Sequence, residues 1–194
     1  MSKAELRQSY LSRQKTISHQ DRAVNSKAIA NLFFETFDLG PFKYLHSFLP
    51  IEKFNEVDTR VIVENVWRKY PHIQTLVPRV DFEKDEIRNL KYKQDTELIR
   101  NDWDIAEPTH NEFVEPEMID MVLVPGLCFD ENRHRVGYGK GFYDRFLKTC
   151  RPDCVKVGLS YFEPVGKIDD THDGDVRLDF IVTPKRVYRS VSPA

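Results

Sequence analysis

Six residues, Ile119 to Val124, constrain this chain more than any others. They form its most apolar run, and Pro125-Gly126 ends it. Such a run reads as a strand buried on both faces, which requires a sheet with helices packed on each side. The rest of the chain supplies those layers. Residues 3–15 contain no Gly or Pro and place Leu6, Tyr10 and Leu11 on one helical face. Ser18 to Asp21 resembles a capping box, and a second helix is expected from there to about residue 37, before Gly40-Pro41. A strand is expected over 42–49, a helix over 58–70, a short strand over 73–77 ended by Pro78, and a peripheral, charged strand over 87–92. Residues 100–117 hold Pro108, Pro116 and many acids and read as a long surface loop. A helix near 141–148 and strands at 155–160 and 180–183 follow. Strands alternating with helices predict a mostly parallel sheet. The expected architecture is one three-layer α/β/α domain over residues 1–194, Rossmann-like, with no internal repeat or linker.

Composition narrows the partners. Lys and Arg number 29 against 31 Asp and Glu, a formal net charge of −2. A nucleic-acid partner normally demands a surplus of cations, so none is expected. No apolar run approaches a membrane span, and no membrane partner is expected. Cys128, Cys150 and Cys154 are too few and too scattered for a disulfide framework and fit a reducing compartment. The cytoplasm is the default, and Lys3, Arg7, Arg13 and Lys15 near the start keep a mitochondrial address open. A monomer is expected.

The strongest local signal follows the apolar strand. Arg135 precedes Gly137, Gly139 and Gly141, and Phe142-Tyr143-Asp144-Arg145 comes next. Alternate glycines let backbone N–H groups approach an anion, and a helix N-terminus adds partial positive charge. Arg133, Arg135, Lys140 and Arg145 add cations, at the carboxyl end of a strand where open α/β sheets bind ligands. Neither common nucleotide fingerprint fits. A P-loop needs Ser or Thr after Lys140, which is followed by Gly141, and the dinucleotide pattern needs Gly at Phe142. Taken alone, the glycines describe a flexible turn as readily as a phosphate cradle.

The longer string is more specific. Pro125-Gly126, Phe129-Asp130 and Arg135 through Asp144 resemble the signature of the 5-formyltetrahydrofolate cyclo-ligase family, also called 5,10-methenyltetrahydrofolate synthetase. The resemblance extends to Lys3 and Arg7, Glu56 to Thr59, Pro78-Arg79, Glu107-Pro108, His172-Asp173 and Asp179 to Thr183. Val136 stands where Leu is commoner, and residues 80–115 match least. The resemblance implies an ATP- and Mg²⁺-dependent ligase. The formyl oxygen of 5-formyltetrahydrofolate attacks the γ-phosphate, and N10 then closes the ring as phosphate leaves. Phosphorylation turns a poor leaving group into a good one, and such transfer chiefly needs positioning and charge neutralisation.

The resemblance also assigns roles. Lys3 and Arg7, one helical turn apart, would bind ATP phosphate; alone, such a pair is a solvated face. Arg135 and Lys140 would be the catalytic cations, with Arg135 on phosphate and transition state. Gly137, Gly139 and Gly141 would cradle phosphates, with Tyr138 and Lys140 between them. Tyr143 would contact nucleotide or folate, although a Tyr early in a helix is more often a packing residue. Glu56 would line the folate site and accept paired hydrogen bonds from the pterin; without the resemblance it is a helix-start carboxylate. Leu49 would be an apolar neighbour, and Trp103 would stack on the pterin or pack. Asp144 would hold Mg²⁺, directly or through water, with Asp179 a further metal candidate. Two rivals stand beside this reading: a non-catalytic folate or nucleotide binder, and an unrelated sugar-phosphate or nucleotide enzyme sharing only a phosphate loop.

Overall fold

The structure is a computed structural model that describes residues 1–101 and 104–189. In chain order, the described residues form α1 (Lys3–Lys15), α2 (His19–Thr36), β1 (Tyr44–His46), α3 (Arg60–Lys69), β2 (Gln74–Asp81), β3 (Glu86–Tyr92), β4 (Leu98–Arg100), β5 (Ala106–Pro108), β6 (Phe113–Val114), β7 (Met121–Val124), β8 (Cys128–Phe129), β9 (Arg135–Val136), α4 (Phe142–Thr149), β10 (Val155–Leu159), β11 (Phe180–Val182) and β12 (Val187–Arg189). Eight strands build one sheet in the order β12-β11-β10-β7-β1-β2-β3-β6. The five from β11 to β2 are parallel neighbours, while β12, β3 and β6 pair antiparallel at the flanks.

β7 lies in the middle, and its four side chains are fully buried. Met121 and Leu123 pack into one core with Ile29 and Phe33 of α2 and Ile62 and Val66 of α3. Val122 and Val124 pack into the other with Phe146 and Leu147 of α4. The alternation of a strand sends successive side chains to opposite faces, and here both faces are covered. A third cluster seats Leu6 and Tyr10 of α1 on Leu127, Cys128 and Val136 of the β8–β9 hairpin. That satellite core holds α1 over the carboxyl end of β7.

The caps explain the helix starts. Ser2 accepts from the Glu5 N–H and Glu5 reaches back to Ser2, a complete capping box opening α1. Ser18 accepts from the Asp21 N–H at the start of α2. The departures from expectation lie mostly between residues 73 and 117. β2 runs through Pro78 to Asp81, because beyond Leu76 its ladder to β1 ends and only β3 pairs with it. A proline is tolerated where one side of a strand is free. The expected loop over 100–117 instead contributes strands β5 and β6, with β4 just before it. These strands are two or three residues long, too short for an alternation that a sequence could reveal. β12 also went unforeseen, and β1 is shorter than the expected 42–49. No helix among the described residues is long and apolar enough to cross a membrane.

Candidate active site

A cavity of about 740 Å³ opens at the carboxyl ends of the parallel strands. Glycines shape one wall. Gly139 (φ +97°) and Gly141 (φ +72°) both adopt the left-handed region, which residues bearing a Cβ avoid. Gly141 is also the N-cap of α4. A Cβ on Gly139 would approach the Arg7 guanidinium carbon to 3.4 Å. Arg7 reaches this loop from α1 and donates from Nε to the Gly137 carbonyl at 2.8 Å. One turn earlier, Lys3 Nζ meets Asp175 Oδ2 at 2.5 Å. The N-terminal helix therefore stands against the glycine loop, where the spacing of Lys3 and Arg7 taken alone described a solvated face.

Arg135 leaves β9 beneath the glycines. Its side chain is 8% exposed and meets Asp144 Oδ2 at 2.7 Å. Its guanidinium lies 5.7 Å from the centre of the Tyr143 ring. Nε and Nη2 are buried, and neither makes a well-directed hydrogen bond within the protein. Burial pushes the Arg135 pKa down, and the Asp144 carboxylate opposes that shift. A buried guanidinium with unsatisfied donors is set to receive an anion. Asp144 has its other oxygen on the Val176 N–H at 3.1 Å, so both oxygens orient the cation. The Tyr143 hydroxyl is likewise buried and unpartnered, and burial drives its pKa upward.

Glu56 sits at the other end of the cavity, after the 3-10 turn Glu52–Phe54. Oε2 accepts from the Ile51 N–H at 2.7 Å, and Oε1 from the Tyr138 hydroxyl at 2.7 Å. Burial pushes the carboxyl up to about 7 despite these two donors. The Tyr138 ring stacks on Phe54 at 5.0 Å between centroids. Leu49, Phe48 and Ile51 add apolar wall nearby. Tyr138, expected among the phosphate contacts, thus directs its side chain toward Glu56. The glycine loop carries one wall of each half of the cavity.

Most of the expected residues converge here. Lys3, Arg7, Leu49, Glu56, Arg135, Gly137, Tyr138, Gly139, Lys140, Gly141, Tyr143 and Asp144 all line the cavity. Asp179 does not. It lies at the amino ends of β10 and β11, where its carboxylate accepts from the Lys156 N–H at 2.7 Å. It fixes strand register there and stands outside the cavity lining, which removes it as a metal candidate for this site. Trp103 lies outside the described residues. The sequence reading missed Asp175 and Lys148. It also missed the wall made by the β2–β3 hairpin, where Phe82 packs edge-on against Phe142 at 5.7 Å and Arg145 Nε donates to the Asp85 carbonyl at 2.9 Å. Lys148 was the one with a signal, since it lies one turn beyond Asp144 on α4.

The cavity is lined by seven Lys and Arg (Lys3, Arg7, Lys53, Arg135, Lys140, Arg145 and Lys148) and three carboxylates (Glu56, Asp144 and Asp175), although the whole chain has a net charge of −2. Such local excess suits a polyanion of small size. The model of the 5-formyltetrahydrofolate cyclo-ligase family matches residues 1–184.

The chain belongs to the 5-formyltetrahydrofolate cyclo-ligase family.

Among its relatives in this family, the mouse 5-formyltetrahydrofolate cyclo-ligase is 29% identical over 152 residues, covering 75% of this chain and 64% of that protein. The Escherichia coli enzyme of the same name is 29% identical over 138 residues, covering 69% of this chain and 74% of that protein. The matched region therefore spans just under two thirds of the mouse relative. The solved structure of Aquifex aeolicus 5,10-methenyltetrahydrofolate synthetase superposes with a TM-score of 0.83 at 28% identity, over 100% of this chain and 95% of that one. The Mycoplasma pneumoniae synthetase shares the fold, with a TM-score of 0.75 at 24% identity.

Proposed function

We propose that this cyclo-ligase family member converts 5-formyltetrahydrofolate to 5,10-methenyltetrahydrofolate at the expense of ATP. The observation that carries the reading is one cavity with two chemically different ends. At one end, glycine backbone and cations offer a place for three phosphates. At the other, apolar walls and a buried carboxylate match the flat, donor-rich edge of a pterin. Direct phosphoryl transfer between two substrates needs both in one enclosure.

The formyl oxygen attacks the γ-phosphorus, and the bond to the ADP oxygen breaks. N10 then adds to the activated formyl carbon and loses its proton, and phosphate departs with the former formyl oxygen. Arg135, buried and held by Asp144, neutralises the transferred phosphoryl group, with Lys140 of the same cavity wall as the second cation. Lys3 and Arg7 bind the nucleotide phosphates from above. Glu56 in its ionised form accepts hydrogen bonds from the pterin, and Tyr143 stands between the two ends.

No group of three or more His, Cys, Asp or Glu able to hold a metal ion occurs among the described residues. A single cavity carboxylate such as Asp144 suits Mg²⁺, which keeps several waters and binds mainly through substrate phosphates with one or two carboxylates. Asp144, whose oxygens already meet Arg135 and the Val176 N–H, is the cavity carboxylate we assign to it, through a bound water. When bound, Mg²⁺ would screen charge on the phosphates.

The test mixes the purified protein with 5-formyltetrahydrofolate and MgATP and follows the ultraviolet absorbance of the methenyl product. An ATP-dependent rise that disappears in Arg135→Ala is expected. No rise, despite measurable binding of both ligands, would favour a non-catalytic binder and overturn the proposal.

A further inference from the structure

Glu56 is held from behind as well as from within the cavity. Its backbone carbonyl accepts two hydrogen bonds, from Arg22 Nε of α2 at 2.9 Å and from the Tyr161 hydroxyl at 2.9 Å. Arg22 is 7% exposed. Its Nη1 pairs with Glu52, which also meets Arg60 at 2.9 Å. Tyr161 is fixed in turn by Ser26 Oγ, 3.1 Å away, and Ser26 accepts from the Asp58 N–H at 3.0 Å. The segment from Glu52 to Asp58 is thus clamped by α2 on one side and by the chain after β10 on the other. None of these clamping groups lines the cavity except through Glu56, and Ser26 and Asp58 face a separate groove between α2 and α3.

We infer that Arg22, seconded by Tyr161, is a positioning residue for folate: it fixes the backbone of Glu56 and places a buried positive charge behind its carboxylate. The inference rests on the reading of Glu56 as a folate contact. Two physical consequences follow. First, the backbone clamp sets where the carboxylate stands relative to the Ile51 N–H and the Tyr138 hydroxyl. Loss of either donor leaves a buried carbonyl with one bond fewer and lets the segment shift. Second, the guanidinium favours the ionised carboxylate. The other groups facing Glu56 are Glu52 on its own segment, which opposes ionisation, Tyr138 from the glycine loop, which assists it, and Tyr143 from α4. Burial raises the carboxyl pKa, and the Arg22 cation opposes it by favouring the ionised form.

The test measures 5-formyltetrahydrofolate affinity by calorimetry between about pH 6 and pH 9, together with the KM for each substrate, in the full chain. If Glu56 binds the pterin ionised, wild-type affinity rises with pH through the neutral range. In Arg22→Gln the folate affinity at pH 8 should fall about tenfold, the worth of a charge-assisted hydrogen bond. The pH midpoint should move upward, and the KM for ATP should stay within about twofold of wild type, the scatter of an indirect effect. Arg22→Lys restores the charge without the guanidinium fork and should return the midpoint further than the affinity. Tyr161→Phe, a milder change that keeps the ring in place, should weaken folate several-fold and leave the midpoint nearer wild type. If Arg22→Gln fails to fold, Tyr161→Phe and Arg22→Lys still decide. Unchanged folate affinity and midpoint in the folded variants, while Glu56→Gln loses folate, would overturn the positioning role and leave Glu56 as a folate contact. Unchanged folate affinity in Glu56→Gln itself would overturn both.

Discussion

Replacing Glu56 by Gln should stabilise the free protein above neutral pH while removing pterin recognition. The carboxyl lies at about 7 in the fold against an ordinary 4.5, and burial is the dominant cause. A group whose folded pKa is raised favours the fold fully below its unfolded value, and that contribution is lost as pH rises from 4.5 through 7. The shift corresponds to about 3 kcal/mol lost by pH 8, of which only about 1 kcal/mol is already lost at pH 5. Gln can preserve the local bonds, since its oxygen accepts from the Ile51 N–H and its amide donates to the Tyr138 oxygen. Urea unfolding of both proteins at pH 5 and pH 8 measures the effect. The expected result is a variant about 2 kcal/mol more stable relative to wild type at pH 8 than at pH 5. A stability gap independent of pH, or wider at pH 5, would refute the argument that the buried charge carries the cost. The same variant should bind 5-formyltetrahydrofolate at least about tenfold more weakly at pH 8, because an amide carries no charge and presents a donor where the carboxylate has its second accepting oxygen.

Four further outcomes are expected. Arg135→Ala should lower kcat by about 10²–10³, as the loss of a preorganised charge-stabilising donor does, with the protein still folded by circular dichroism. Lys3→Ala should act chiefly on the KM for ATP; an unchanged KM would remove α1 from the nucleotide site. Gly139→Val should abolish turnover and destabilise by about 1–3 kcal/mol, because φ of +97° is strained for any Cβ and Arg7 occupies the adjoining space; full activity would refute the backbone cradle. His46 is fully buried on β1 with both ring nitrogens unpartnered, and burial pulls its pKa down to about 3. Its neutral form is the folded form, so stability should be lost as pH falls below 6.5. His46→Leu should abolish about 3 kcal/mol of that acid sensitivity at pH 4, read as a flatter unfolding midpoint against pH.

Several elements could be read locally because local rules made them. The spacing of Leu6 and Tyr10, the Ser18 cap and the unbroken run of β7 each work over a few neighbouring residues, and the structure repeats them with shifts of one or two positions. The glycines of the loop were legible for the same reason, since a left-handed φ excludes other side chains whatever surrounds it. The departures have the opposite character. β4, β5, β6 and β12 are two or three residues long, too short to show any period in the sequence, and they exist only because a partner strand lies alongside. Asp179 shows the limit most plainly: an acidic residue at the start of a strand carries no mark of which end of the sheet it will occupy.

The sequence alone determined the layered α/β architecture, the position of the glycine loop after its central strand, and several of the cations beside it, Arg135, Lys140 and Arg145 among them. These follow from alternation, helical period and backbone sterics, which are properties of short segments. Only the tertiary structure decided that the Tyr138 hydroxyl donates to Glu56, 82 residues away in the chain. It likewise decided that Asp144 grips Arg135, and that Arg22 and Tyr161 hold the carbonyl behind the buried carboxylate. A hydrogen bond acts over about 3 Å, and which atoms come that close across such separations is settled only when the sheet is assembled and its two cores are filled.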